Sequence, residues 1–281
     1  MTIGVAAVVP AKNEQDRIGA TLRALATLPQ VDLVVVVDDG STDRTADVAA
    51  AAGAAVVVRH PRNRGKAAAL ASGAAEVSRL EEAESAGEAE SATGPESPEG
   101  GSQRQARALL FVDADLQDSA GNLGPLCAPV LAGRSDMTIA VLPQQLSVGG
   151  GLGLVVRLAG TGVHRLTGWT PTQPLSGMRC LSRAAFAQAQ PLASGWGVEV
   201  GLTVDVIRAG GRVVEVPCEL HHRITGRDWR SQLHRGRQYR DVWLALDRRG
   251  AWRRPTLSSS FRRPRRSRLG APDGLPGHRD P

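Results

Sequence analysis

Short runs of valine, leucine and isoleucine alternate with alanine-rich stretches through the first half of the chain. Ile3–Val9, Leu33–Val37, Ala55–Val58 and Leu109–Val112 are apolar at nearly every position. A strand with one wet face alternates apolar and polar residues, so near-continuous runs of this kind read as strands covered on both faces. Between them lie three helical stretches: Glu14–Leu28, with Ile18, Leu22 and Leu25 on one face; Thr42–Ala52, ended by Gly53; and roughly Lys66–Val77. Buried strands separated by helices predict an α/β fold with a mostly parallel sheet flanked by helices. Further along, Met137–Leu142, Met178–Leu181 and Arg212–Val216 read as strands, and Leu152–Leu166, Val198–Ala209 and Trp229–Leu246 as helices. No internal repeat is evident.

The pattern fails twice. From Ser78 to Ala108 it gives way to Glu, Ala, Ser, Gly and Pro, a composition that predicts a disordered acidic insertion. After residue 250 the chain becomes a Pro- and Ser-containing tail with Arg262, Arg263, Arg265, Arg266 and Arg268. The expected organisation is one domain over residues 1–250, with a nucleotide-binding half (1–118), an acceptor half (119–250) and a disordered basic tail (251–281).

Composition narrows the class. The formal charge of +6 is weighted toward the tail, and aromatic residues make up only 3% of the chain, so a stacking platform for nucleic acid is not expected. Cys127, Cys180 and Cys218 lack metal-type spacing and read as buried thiols of a reducing compartment. The N-terminus lacks the flanks of a signal peptide, and Leu152–Val163 is short and broken by Arg157. A cytoplasmic protein without a membrane span is expected.

The candidate chemistry gathers where strands end. Pro10–Glu14, Asp38–Asp43, Asn63–Lys66 and Asp113–Asp118 each follow a predicted parallel strand, and ligands of such sheets lie beyond the strands' carboxyl ends. Asp113 and Asp115 flank one small residue, so both can face a single cation; carboxylate oxygens with diphosphate suit Mg²⁺ or Mn²⁺. Gln117 and Asp118 lie close enough to add a contact. Asp38 and Asp39 are adjacent acids that repel unless something uses them, and Asp39 is a candidate acceptor for base or ribose hydrogens. Ser41, Thr42 and Asp43 can cap the next helix. Of 34 basic residues only Lys12 and Lys66 are lysines. A compact ammonium beside Gly65 suits diphosphate oxygens.

Taken in order, Pro10-Ala11-Lys12-Asn13-Glu14, Val37-Asp38-Asp39-Gly40-Ser41-Thr42-Asp43, Gly65-Lys66-Ala67-Ala68-Ala69-Leu70 and Asp113-Ala114-Asp115-Leu116-Gln117-Asp118 resemble the signature of family-2-type GT-A glycosyltransferases. The last segment is similar to polyprenyl-phosphate sugar synthases. In the second half, Gln173–Gly177, Trp196–Leu202 and His222-Arg223 resemble glucosyl-3-phosphoglycerate synthases. The resemblance implies a GT-A, Rossmann-like fold with a C-terminal acceptor subregion. It places Pro10, Ala11, Asn13, Glu14 and Asp39 around the uridine and Lys66 and Asp113 near the donor. Asp113, Asp115 and His222 would hold Mg²⁺ or Mn²⁺, and Glu199 would hold sugar hydroxyls. Glu199 and Asp118 are thus the two candidate catalytic carboxylates. Where the phosphoglycerate enzymes carry polar and basic residues around the metal histidine, this chain has Leu220 and Ile224, a departure that speaks against phosphoglycerate as acceptor.

The expected activity is transfer of a hexose, glucose by resemblance, from a UDP-sugar to a small-molecule or lipid-phosphate acceptor, with retention favoured over inversion. A polyprenyl-phosphate sugar synthase at the membrane surface is the alternative. A sugar-phosphate nucleotidyltransferase is disfavoured, because its first strand would open into a glycine-rich loop rather than Pro10–Glu14. A non-catalytic nucleotide-sugar sensor is disfavoured by the intact Lys66, Asp113, Asp115 and Glu199. Peripheral membrane contact through the basic tail and a homodimer stay open.

Overall fold

The computed structural model describes residues 4–91, 105–142, 152–220 and 229–252. Among these, the strands β1 (Val5–Ala11), β2 (Val31–Asp38), β3 (Val56–Arg59), β4 (Ala108–Phe111), β5 (Met137–Val141), β6 (Arg179–Leu181) and β7 (Val213–Pro217) form one sheet. Their order is β3-β2-β1-β4-β6-β5-β7. All neighbours run parallel except β6, which is antiparallel to both β4 and β5. The mostly parallel sheet expected from the sequence is therefore present, with one reversed strand in its interior.

The helices are α1 (Ile18–Leu25), α2 (Thr45–Ala51), α3 (Lys66–Ser91), α4 (Gly124–Leu131), α5 (Leu152–Thr167), α6 (Arg183–Gln188), α7 (Val198–Arg208) and α8 (Trp229–Arg248). Side chains alternate along β1 as strand geometry requires. Val5, Ala7 and Val9 join a core with Ile18, Leu22 and Leu25 of α1 and Leu126 and Val130 of α4. Ala6 and Val8 face the other way, against Leu70, Ala74 and Val77 of α3 and Val198, Leu202 and Val206 of α7. A third cluster joins Val155, Ala159 and Val163 of α5, Val200 and Val204 of α7, and Val242 and Leu246 of α8. Each layer follows from apolar residues spaced to meet it.

The structure corrects the expected acidic insertion over Ser78–Ser91; residues 92–104 of it lie outside the described residues. Ser78–Ser91 continues α3 rather than leaving it, and disorder is not found there. Two causes act together. Alanine and glutamate are strong helix formers, so a segment without an apolar period still favours helix. Arg107 then ties the acidic turns to the sheet: its amide donates to Glu81 Oε1 at 2.8 Å, and its guanidinium pairs with Glu84 at 2.9 Å and Asp32 at 2.8 Å. The expected tail boundary also moves. Ala251 is buried, Trp252 packs on the third cluster, and Arg165 sits 5.4 Å from the Trp252 ring centroid. The arginines after residue 252 lie outside the described residues. Leu220, read as a departure from the polar residues of the phosphoglycerate enzymes, is part of the core. All three cysteines are free and buried, and burial raises the Cys218 thiol to about 11. No helix among the described residues is long and apolar enough to cross a membrane.

Candidate active site

Strands β3, β2, β1 and β4 are parallel neighbours, so the four polar segments that follow them emerge at one edge of the sheet. Pro10 and Ala11 are the last residues of β1, in register with Val37 and Asp38. Asn13 then takes a left-handed turn (φ 56°) and stitches the first two segments together. Its amide donates to Ser41 Oγ at 2.9 Å, and its side-chain oxygen accepts from the Thr42 amide at 2.9 Å. The Glu14 amide donates to Thr45 Oγ1 at 2.8 Å. Ser41 and Thr42, expected to cap α2, serve this stitching instead. Asp43 accepts from the amide of Thr45, the first residue of α2.

Asp38 and Asp39 are both buried. Asp38 Oδ1 accepts from the Ser41 amide at 2.9 Å. Asp39 Oδ1 meets His60 Nδ1 at 2.7 Å and the Arg64 amide at 2.8 Å, while Oδ2 accepts from the Gly65 amide at 2.8 Å. Burial opposes its charge, but the bonds from His60, Arg64 and Gly65 outweigh burial and hold the carboxyl below the usual carboxylate range. Protein donors thus answer the repulsion expected between the paired acids.

Lys66 begins α3 and reaches across the edge of the sheet. Its ammonium lies 2.7 Å from Asp113 Oδ1 and 3.0 Å from Glu199 Oε1, bringing together residues from three distant segments. Burial would discharge this lysine; the carboxylates of Asp113 and Glu199 outweigh burial and hold it charged well above its ordinary range. Glu199 sits buried in the first turn of α7. Gly177, two residues before the reversed β6, forms the wall. A Cβ there would come within 2.6 Å of Lys66 Nζ and 2.8 Å of Asp113 Oδ2.

Asp115 is partly buried on the same turn as Asp113. The fully buried Thr21 of α1 braces that turn: its hydroxyl donates to the Ala114 carbonyl at 2.8 Å and accepts from the Gln117 amide at 2.8 Å. Glu14, by hydrogen bond and charge, holds the Arg17 guanidinium above its ordinary range, and Asp115 adds to the effect. Asp118 is exposed at the start of a 3-10 turn over Gln117–Leu123. Lys12 is exposed. His222 and Ile224 lie outside the described residues. Among the described residues, no group of three or more His, Cys, Asp and Glu side chains is arranged to hold a metal ion.

Two residues escaped the sequence reading. His60 has no motif around it. Arg179, on β6, is 1% exposed and donates to Thr203 Oγ1 at 2.7 Å and to the Ser176 carbonyl at 3.0 Å. Burial pulls its guanidinium down to about 10, against the opposing charges of Glu199 and Glu215. It supports both the Gly177 loop and α7; a single arginine in an arginine-rich chain carries no signal of that role.

Residues 6–79 match the model of Glycosyl transferase family 2. An uncharacterized protein of Methanocaldococcus jannaschii is 30% identical over 182 residues, covering 63% of this chain and 64% of that protein. Glucosyl-3-phosphoglycerate synthase of Mycolicibacterium paratuberculosis is 30% identical over 223 residues, covering 72% of this chain and 59% of the relative. The chain thus spans less than two thirds of the length of either. Among solved structures, the Mycobacterium tuberculosis glucosyl-3-phosphoglycerate synthase in complex with phosphoglyceric acid superposes with a TM-score of 0.64 at 26% identity, covering 88% of this chain and 80% of that one. The same enzyme with Mn²⁺, uridine diphosphate and phosphoglyceric acid gives a TM-score of 0.63 with the same identity, covering 88% of this chain and 78% of that one.

Proposed function

We propose that this chain, whose residues 6–79 match the model of Glycosyl transferase family 2 and whose fold is the GT-A fold of its structural neighbours, is a metal-dependent glycosyltransferase moving a hexose from a UDP-sugar to an acceptor alcohol or phosphate. One observation carries the reading: Lys66 bridges Asp113 and Glu199 at the carboxyl edge of the sheet. A structural ion pair needs one acid; a cation between two, walled by a glycine, suits a site that holds an anionic diphosphate beside a polar sugar. In this reading Pro10, Ala11, Asn13, Glu14 and Asp39 shape the uridine pocket. Lys66 meets diphosphate oxygens, and Glu199 holds sugar hydroxyls.

The residues fit a hard divalent cation. Asp113 and Asp115 offer only oxygen, as Mg²⁺ and Mn²⁺ prefer, and such ions complete their shells with water and substrate phosphates. Lys66 uses Oδ1 of Asp113, so Oδ2 keeps its lone pairs for a cation. His222 is proposed as a further ligand. When bound, the ion supplies Lewis-acid stabilisation of the departing diphosphate. The chain's own residues hold the donor, keep the Lys66 charge in place and exclude water. The hydroxyl of Ser176, beside Gly177, is buried without a bonding partner among the described residues, as a group that meets its partner on a ligand would be.

Glucose is the proposed sugar, because glucosyl-3-phosphoglycerate synthases are similar over most of the chain. A lipid-phosphate acceptor is the second reading. Leu154 and Val156 of α5, Trp196 in the 3-10 turn before α7, and Tyr239 and Trp243 of α8 are exposed apolar or aromatic groups. The experiment is transfer from UDP-glucose with Mn²⁺, run in parallel on phosphoglycerate, a polyprenyl phosphate and a cell extract, with product masses read directly. Absence of both transfer and UDP binding would remove the reading.

A further inference from the structure

We infer that His60 is a positioning residue for Lys66: it orients Asp39, and Asp39 holds the loop that delivers the lysine. The link to diphosphate binding rests on the function proposed above; the link between His60 and the loop does not.

His60 follows β3 and is buried, as is Asp39 at the end of β2. Asp39 is ionised and can only accept, so His60 Nδ1 carries the hydrogen of their 2.7 Å contact. In the neutral ring Nε2 is then an acceptor, and it receives the Ser72 hydroxyl at 2.9 Å. Ser72 lies on α3, the helix that Lys66 begins. The backbone of His60 is fixed too, its amide donating to the Asp38 carbonyl at 2.9 Å. The ring is therefore held between the end of β2 and the body of α3, with both nitrogens engaged.

This fixes the rotation of the Asp39 carboxylate. Its oxygens face the amides of Arg64 and Gly65, the two residues before Lys66. Gly65 adopts a φ of +89°, reserved in practice for glycine, and its amide is shared with Asn63 Oδ1 at 2.9 Å. The same loop presses on Gly40, where a Cβ would lie 2.5 Å from the Arg62 carbonyl carbon and from the Asn63 nitrogen. The chain entering α3 is thus pinned on one side by a carboxylate and on the other by a bare backbone. If Asp39 turns, the Arg64 and Gly65 amides lose their acceptor, and the start of α3, with Lys66 on it, is free to shift. A histidine with a purely packing role needs neither the two-sided bonding nor the placement of its partners on both flanks of the lysine.

The test has two parts on the full chain. In the unliganded protein, amide hydrogen exchange is followed residue by residue by NMR for wild type, His60→Ala, His60→Asn and Ser72→Ala. Arg64 is the cleaner reporter, because Gly65 keeps Asn63 as a second acceptor. We expect Arg64 exchange to speed up roughly tenfold in His60→Ala, to return toward wild type in His60→Asn, which retains a donor toward Asp39, and to rise less in Ser72→Ala. Calorimetry then compares UDP with uridine. His60→Ala should weaken UDP roughly tenfold and uridine clearly less, because Asp39 also lines the proposed uridine pocket. The part of the UDP loss that exceeds the uridine loss should vanish in a Lys66→Ala background. Unchanged Arg64 exchange in His60→Ala and Ser72→Ala overturns the inference whatever the protein binds. Equal losses for UDP and uridine, or additive effects with Lys66→Ala, also overturn it. If wild type binds neither nucleotide, the proposed function falls and the exchange data alone decide the role of His60.

Discussion

Lys66 at the start of α3 and Glu199 in the first turn of α7 meet 3.0 Å apart, joining the two halves of the chain through one ammonium. Removing that ammonium leaves Glu199 and Asp113 facing each other as buried or half-buried carboxylates. Lys66→Met is expected to cost about 1–3 kcal/mol of stability at pH 7, the usual penalty for stranding a buried charged group. It should also abolish detectable transfer. Thermal melts at pH 7 and a UDP-glucose transfer assay, each run against wild type, check the two expectations.

Asp115 lies beyond the end of β4 and outside the core clusters. Asp115→Ala should therefore leave the unfolding free energy within about 1 kcal/mol of wild type while removing the Mn²⁺ dependence of UDP binding. Titration of UDP with and without Mn²⁺ reads this directly; an undiminished metal effect would take Asp115 out of the site.

Gly177→Ala places a methyl group 2.6 Å from Lys66 Nζ. The methyl would also lie 2.8 Å from Asp113 Oδ2, so the ion pair has to give, and a stability cost of about 1–3 kcal/mol is expected. Displacement of the lysine should also lower kcat by about tenfold or more, since small misplacements at a site are expensive in rate. A variant with normal turnover would show that the lysine position is not critical.

Arg107 ties Glu81, Glu84 and Asp32 together and is 12% exposed. Arg107→Ala is expected to destabilise the protein by about 1–2 kcal/mol and to raise amide exchange selectively over residues 81–87 of α3. Uniform exchange across α3 would mean that the helix extension does not depend on Arg107.

The stereochemistry of transfer is proposed to be retention. Glu199 is held by Lys66 in the first turn of α7, an arrangement that suits positioning of sugar hydroxyls better than proton abstraction, because its charge is already committed. Proton NMR of the first-formed product from an α-linked UDP-hexose should show an α-anomeric signal. A β signal would return Asp118, exposed at the start of its 3-10 turn, to candidacy as the base.

Legibility followed the physics of each element. Unbroken apolar runs such as Val34–Val37 announce buried strands, and the acids after them then fall on one edge of the sheet by topology alone. Lys66 stood out because lysine is rare here and the residue beside it is glycine. Helix α3 was cut short because a run of Ala and Glu has the composition of disorder and the propensity of helix, and contacts such as those of Arg107, distant in sequence, tip the balance. His60 was invisible for a different reason: its bonds go to residues 21 and 12 positions away, and no local pattern encodes them. Arg179 likewise shows its role only once β6 is known to run backwards.

That reversed strand also sets an order of events during synthesis. Until residues 179–181 arrive, the β4 edge that β6 will cover is an open template for other chains. Residues 1–118 emerging alone would carry all four strand-end segments yet leave Lys66 without Glu199. A fragment ending there should aggregate rather than bind nucleotide, and refolding of the whole chain should be slow, because the cluster around Lys66 needs contacts far apart in sequence.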